Sequence, residues 1–383
     1  MYKNFLIVEP EPNGHHFEMY LKAILEKFSL KEKIILLTSR RALKSSFLKN
    51  LKKKNVKIEI YEDINSINFP IKFLQIFINQ FLNYFFLKRK YKKLKKIYCF
   101  DHIFINTIDD YFLPLSILGS PFDKKYSAIF NNPDFFIKDN LKKNIFIIFK
   151  IILINLILKQ NYLNKIYFNN FFIYKSLKKK IFFKKKIEWF YEPIKFNKKN
   201  VLSNKKKIIL VYGAIKKSKC IQELLEIFKQ SKNKEKLEYK VNIIGQQYKD
   251  IKDLFNSPYC RKLIKAGKLF VKNKFVDNIE EKFFFNNSHL VWVAYEKKFL
   301  NSSGVLFTAI KYFKPVIANN LGYLAFLVNK YNLGETCSVN DTDSILDTLK
   351  KFEKKKNYKN KISSIVRFQK EYKKNSFYRK ISF

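Results

Sequence analysis

The chain has 383 residues, 47% of them hydrophobic and 28% charged, which is enough apolar material for two cores and excludes a disordered polymer. Its formal net charge of +45 invites anionic partners, yet arginine supplies only 6 of the 77 basic residues. A dedicated nucleic-acid reader favours arginine for bidentate contacts, so the excess fits A/T-rich codons better, which also enrich Asn, Ile, Phe and Tyr.

Cys99, Cys220, Cys260 and Cys337 lie far apart and form no CxxC pair, which predicts free thiols in a reducing compartment. The start, `MYKNFLIVEPEPNG`, reads as a first strand rather than a signal peptide. A helix follows from Gly14, then `KIILLTS` as strand, a further helix and `VKIEIYE` as strand. A helical region rich in Lys and Phe, 68–96, precedes the strand-like runs `IFINT`, `YSAIFNN` and `KIYFN`. Among them lies `NIFIIFKIILINLIL` (144–158), too short to span a bilayer and interrupted by Lys150. It reads as a core helix or as a helix in the membrane interface, with `KSLKKKIFFKKK` (175–186) supplying charge for anionic lipid. `KKKIEWFYEPIKFN` closes this half, with Pro193 at the boundary.

The second half alternates more cleanly. `KIILVYG`, `YKVNIIG`, `KLFVKN`, `HLVWVAY` and `KPVIA` read as strands; `CIQELLEIFKQS`, 248–266, `IEEKFFFNN`, `GVLFTAIKYF` and `YLAFLVNKY` read as helices. Short connections and strict alternation predict α/β architecture: two doubly wound, Rossmann-like domains facing each other across a cleft, with ligand at the carboxyl ends of the strands. The expected domains are 1–196 and 197–365, with a C-terminal helix, 366–383, packing back on the first.

Glycine is scarce, with 8 in the chain, so `NSSGVLFTA` stands out. Ser302, Ser303 and Gly304 fall between a strand and a helix, where free N–H groups and the helix dipole favour phosphate. The plain alternative is a serine N-cap. Gly213, Gly245 and Gly322 fall at further strand ends, and Lys219 could reach a diphosphate. His15 and His16 are adjacent rather than at metal spacing, and no metal site is expected. His102 and His289 sit in strand-like runs and read as structural; Asp341 and Asp343 in `NDTDS` read as helix caps.

With these motifs in view, the sequence resembles the retaining, nucleotide-sugar-dependent glycosyltransferases of GT-B fold, the family 4-like group. The likeness rests on Gly213 and Lys219, `IIG` (243–245), `NKFVDNIEEKF` (273–283), `SHLVWVAYE` (288–296), `SSGVLFTA` (302–309), `FKPVIANNLGYL` (313–324) and `YNLG` (331–334), in the family's order and spacing. `EPEPNGHHFEMYLKAIL` is similar, less closely, to its first glycine loop and helix. The resemblance implies an enzyme moving a sugar from a nucleotide sugar, with no metal or other cofactor. Lys219, Ser302, Ser303, Gly304 and Val305 would hold the diphosphate. Phe275 and Val276 would flank the base, Gly213, Gly245 and Gly322 would line the site, and Gly14 and His15 would face the donor from the first domain.

Several positions depart from the pattern. Thr308 and Leu300 stand where the family carries glutamates, Asn131 or Asn132 where it carries a histidine, Ala214 where it carries an arginine, and Cys220 where it carries a glycine. Glu296 is the substitute carboxylate, with His15 as a second catalytic candidate. The expectation is a cytoplasmic glycosyltransferase acting on a glycan or lipid-linked acceptor in surface polysaccharide or lipopolysaccharide synthesis, with contact to the inner, anionic face of the membrane. A non-catalytic partner on the same fold and a basic nucleic-acid-binding protein are the alternatives.

Overall fold

The computed structural model describes residues 3–9, 15–51, 55–61, 72–131, 145–196, 207–230, 238–297, 299 and 302–383. The chain divides into two units, Met1–Pro193 with Asn375–Phe383, and Ile194–Lys374.

The first unit is built on β1 (Asn4–Glu9), β2 (Lys33–Ser39), β3 (Val56–Tyr61), β4 (His102–Ile105), β5 (Tyr126–Phe130), β6 (Leu163–Phe168) and β7 (Ile187–Trp189). They pair in the order β3-β2-β1-β4-β5-β6-β7, all parallel. An all-parallel sheet needs both faces covered, which is why its strands are apolar runs rather than alternating ones. Leu6 and Val8 point to one face, covered by α3 (Lys72–Leu94), α4 (Phe112–Leu118), α5 (Ile145–Lys159) and α6 (Phe171–Lys180). Phe5 and Ile7 point to the other, where α1 (His15–Glu26) and α2 (Ser46–Lys49) pack. The end of the chain, including Phe377 and Ile381, joins that second face. His102 is buried with its Nε2 3.1 Å from Ser127 Oγ, and burial draws its pKa down to about 4.

The second unit carries β8 (Ile208–Tyr212), β9 (Lys240–Ile244), β10 (Leu269–Lys272), β11 (Leu290–Trp292), β12 (Val316–Asn319) and β13 (Gly334–Cys337), in the order β10-β9-β8-β11-β12-β13, again all parallel. Its helices are α7 (Ile221–Gln230), α8 (Lys252–Asn256), α9 (Pro258–Lys265), α10 (Asn278–Asn287), α11 (Gly304–Lys311), α12 (Gly322–Tyr331), α13 (Thr342–Glu353) and α14 (Lys355–Tyr372); α15 (Phe377–Lys380) lies in the first unit. The doubly wound expectation holds for both sheets. The order reverses between β1 and β4 in one unit and between β8 and β11 in the other, the places where open α/β sheets bind ligands.

Three details differ from the sequence reading. β7 and β13 are additional strands. β13 is polar in sequence, and what seats it is Gly334, where a Cβ would overlap the carbonyl oxygen of Val316 on β12. The strand expected over 289–295 is shorter: Val293 N–H still reaches Ile317 O at 2.8 Å, but Tyr295 O accepts from the side-chain amide of Asn319 at 2.8 Å instead of from a backbone N–H. His289 stacks on Tyr358, 4.3 Å between centroids and 9° between planes, and burial with Lys314 and Lys207 nearby lowers its pKa to about 4. Both histidines are thus structural. Asp341 caps α13, accepting from Asp343 N–H at 3.0 Å, as expected of a cap.

Candidate functional site

The site builds up from the carboxyl end of β8. Its apolar run ends at Tyr212, and Gly213 follows with the chain close to its neighbours. Gly245, at φ +142° beyond β9, approaches so closely that a Cβ there would overlap the carbonyl oxygen of Gly213. On the other side, a Cβ at Gly213 would lie 3.5 Å from Val305 Cγ2. The ends of β8 and β9 and the start of α11 therefore meet through backbone and small side chains, as the scarcity of glycine suggested.

Lys219 enters this place from a 3₁₀ turn, Lys217–Lys219. It is buried, and its Nζ donates to Tyr212 O at 2.6 Å. The same Nζ lies 5.3 Å from the centroid of the Tyr295 ring. The backbone of Lys219 is fixed as well, because Trp292 Nε1 on β11 donates to its carbonyl at 2.8 Å. Among the described residues Lys219 forms no ion pair, so a buried ammonium stands here without a carboxylate, an arrangement that favours an anionic ligand. Cys220 follows at φ +49°, a left-handed conformation that suits glycine, and burial pushes its thiol up to about 12, away from reactivity.

The start of α11 completes the arrangement. Ser303 occupies the N-cap position but makes no capping hydrogen bond; its Oγ lies 2.9 Å from Tyr295 OH. Ser302 Oγ is buried with no hydrogen-bond partner among the described residues. The plain cap is therefore not what these serines do. They leave the helix N-terminus to its backbone N–H groups and dipole, with a spare hydroxyl beside them. Glu281 on α10 holds α11 in place, accepting from Tyr212 OH at 3.0 Å and from Lys311 Nζ at 3.0 Å. Uncapped N–H groups, a hydroxyl and an ammonium at a switch point together favour an anion.

The structure thus brings together Gly213, Gly245, Lys219, Ser303 and Val305, with Ser302 and Gly304 in the same segment. Gly322 lies at φ +83° at the start of α12, after Asn319. Val276 is buried and Phe275 is 80% exposed, on the link between β10 and α10. Glu296 is tied by its N–H to Ser218 O at 2.9 Å, beside the Lys219 turn. Gly14, Leu300 and Asn132 lie outside the described residues; His15 is the first residue of α1, and its side chain is likewise outside them.

Residues 194–367 match the family described as Glycosyl transferases group 1. The HepE protein of Anabaena, solved in complex with UDP, is similar over 98% of this chain and 95% of its own, with 13% identity and a TM-score of 0.66. Sucrose-phosphate synthase of Thermosynechococcus elongatus is similar over 97% and 98%, with 10% identity and a TM-score of 0.67. An E. coli structure described as trehalose-6-phosphate bound with UDP-2-fluoro glucose is similar over 98% and 97%, with 11% identity and a TM-score of 0.62. No curated protein matches by sequence. The chain has the GT-B fold, and its second unit carries a group 1 glycosyl transferase domain. The reaction class of that domain is glycosyl transfer.

Within this domain, Thr308 stands where the family carries glutamate, and its Oγ1 donates to Gly304 O at 2.9 Å, turned into its own helix. Among the described residues no group of three or more His, Cys, Asp or Glu could hold a metal ion. Sequence reasoning missed Tyr295 as a connector; it closes `HLVWVAY`, and its phenol links Lys219 to Ser303. It also missed a polar cluster in the first unit, at the carboxyl ends of β1, β4 and β5. Buried Asn106 donates from Nδ2 to buried Glu9, and Asn131 Nδ2 donates to Asn106 O at 2.9 Å. Asn106 Oδ1 and Asn131 Oδ1 have no partner among the described residues. Glu9, an acid closing the apolar run `FLIV`, was the available signal.

Proposed function

We propose that Lys219, Ser302, Ser303, Gly304 and Val305 bind the diphosphate of the sugar donor, and that the acceptor is a glycan or lipid-linked saccharide of surface polysaccharide or lipopolysaccharide synthesis, met at the cytoplasmic side of a membrane. The observation that carries the donor assignment is the uncapped start of α11 beside a buried ammonium and an unpartnered hydroxyl. Phe275 and Val276 border the base, and Gly213, Gly245 and Gly322 keep the backbone open. As the bond from sugar to diphosphate breaks, negative charge grows on the leaving group, and preorganised N–H groups and Lys219 stabilise it. With Thr308 in place of a carboxylate, positioning and leaving-group stabilisation carry more of the reaction, and Glu296, beside the Lys219 turn, is the acidic substitute. Glu9, Asn106 and Asn131 offer hydroxyl-binding groups in the first unit, which supports a saccharide acceptor there.

Calorimetric titration with UDP, ADP and GDP tests the donor site. At least one binds the parent chain, and Lys219→Ala and Ser303→Ala each weaken it about tenfold or more, the loss expected for charge-assisted hydrogen bonds. Unchanged affinity in both variants would sink the assignment.

A further inference from the structure

We propose that the outer face of α5 and the adjoining 181–186 turn dock on an anionic lipid bilayer. The surface stands apart from the donor site and does not depend on it. α5 has 15 residues, about 22 Å at 1.5 Å per residue, against a hydrocarbon core of about 30 Å. Among the described residues no helix is long and apolar enough to cross a membrane. A helix apolar all round is ordinarily buried all round. α5 is not: it sinks Leu153, Ile154, Ile157 and Leu158 into the core and leaves Ile148, Phe149, Ile152 and Leu156 exposed, Ile148 by 58%. Ile148, Ile152 and Leu156 recur every fourth residue and form a ridge along the helix.

The turn after α6 extends this ridge. Phe182 N–H donates to Asn155 Oδ1 on α5 at 3.0 Å, which ties the backbone of the 83%-exposed Phe182 to this helix. Lys186 Nζ donates to Gln160 O at 2.7 Å and lies 5.8 Å from the Phe183 ring centroid, so the turn is held to the end of α5. Lys178, Lys179, Lys180, Lys184 and Lys185 are exposed around the two phenylalanines, and no acid occurs between Phe171 and Lys186. Charge decides the occupant. A second copy of this chain would bring lysine against lysine. An anionic bilayer takes the apolar ridge at its acyl boundary and the ammonium groups at its headgroups, each lysine strengthening binding about fivefold.

Co-sedimentation of the full chain with phosphatidylcholine vesicles, with and without phosphatidylglycerol, tests this. The chain is expected to bind the anionic vesicles about tenfold or more tightly than the neutral ones. Phe182→Ser with Phe183→Ser, and separately Ile152→Ser with Leu156→Ser, lower the partition coefficient about tenfold or more with the thermal midpoint unchanged. Lys184→Glu with Lys185→Glu lowers it at low salt, and Ile264→Ser, an exposed apolar change in the other unit, leaves it alone. Equal binding to both vesicles, no binding, or no effect of the phenylalanine pair overturns the proposal. So does sedimentation velocity in which those same pairs dissociate an oligomer in the absence of vesicles.

Discussion

Ser302 separates binding from stability at a single atom. Its hydroxyl is buried without a partner among the described residues, so the folded chain gains nothing from it. Ser302→Ala is expected to hold or raise the unfolding free energy, within about 0.5 kcal/mol, while weakening nucleotide diphosphate binding several-fold. Urea unfolding and calorimetry on one preparation check both halves, and a destabilised variant with intact binding would contradict them. Much of this site was legible in the sequence. Few glycines and serines interrupt so many long side chains, and Gly213, Gly245, Ser302 and Ser303 fall where the backbone must approach a ligand or another strand. The role of Tyr295 was not legible. Its phenol meets Ser303 eight residues further on, and spacing along the chain does not encode that contact.

At the scale of elements, strands that are apolar throughout were legible, because burial on both faces of a parallel sheet demands it. β13 was not, since a glycine contact with Val316 positions it rather than hydrophobicity. The end of β11 was overread because Asn319 takes the Tyr295 carbonyl out of the ladder. The strands also predict an acid response. His102 opens β4 and His289 precedes β11, and burial lowers both from 6.5 to about 4. As pH falls below 6.5 the unfolded chain takes up these protons first. The histidines therefore favour the fold above pH 6.5, and that contribution disappears as pH drops through about 4, on the order of 3 kcal/mol each at most. Urea midpoints should fall between pH 6.5 and 4.5, and His289→Phe, which keeps a ring against Tyr358, should flatten part of that fall. A midpoint independent of pH over this range would contradict the reading.

At the scale of the whole molecule, two parallel sheets were legible from the alternation of strands and helices, and the group 1 glycosyl transferase motifs from their order over residues 207–334. The lysines were the least informative feature. They cover the surface of both units, and only a few, such as Lys219, are buried for a purpose. In the proposed reading the start of α11 holds the donor diphosphate. A crystal structure with the bound nucleoside diphosphate tests it most directly. Phosphate oxygens are expected within about 3 Å of Ser302 Oγ and of the N–H groups of Gly304 and Val305, with Lys219 Nζ turned to the diphosphate. A diphosphate seated elsewhere, with Lys219 still on the Tyr212 carbonyl and Ser302 without a partner, would contradict it.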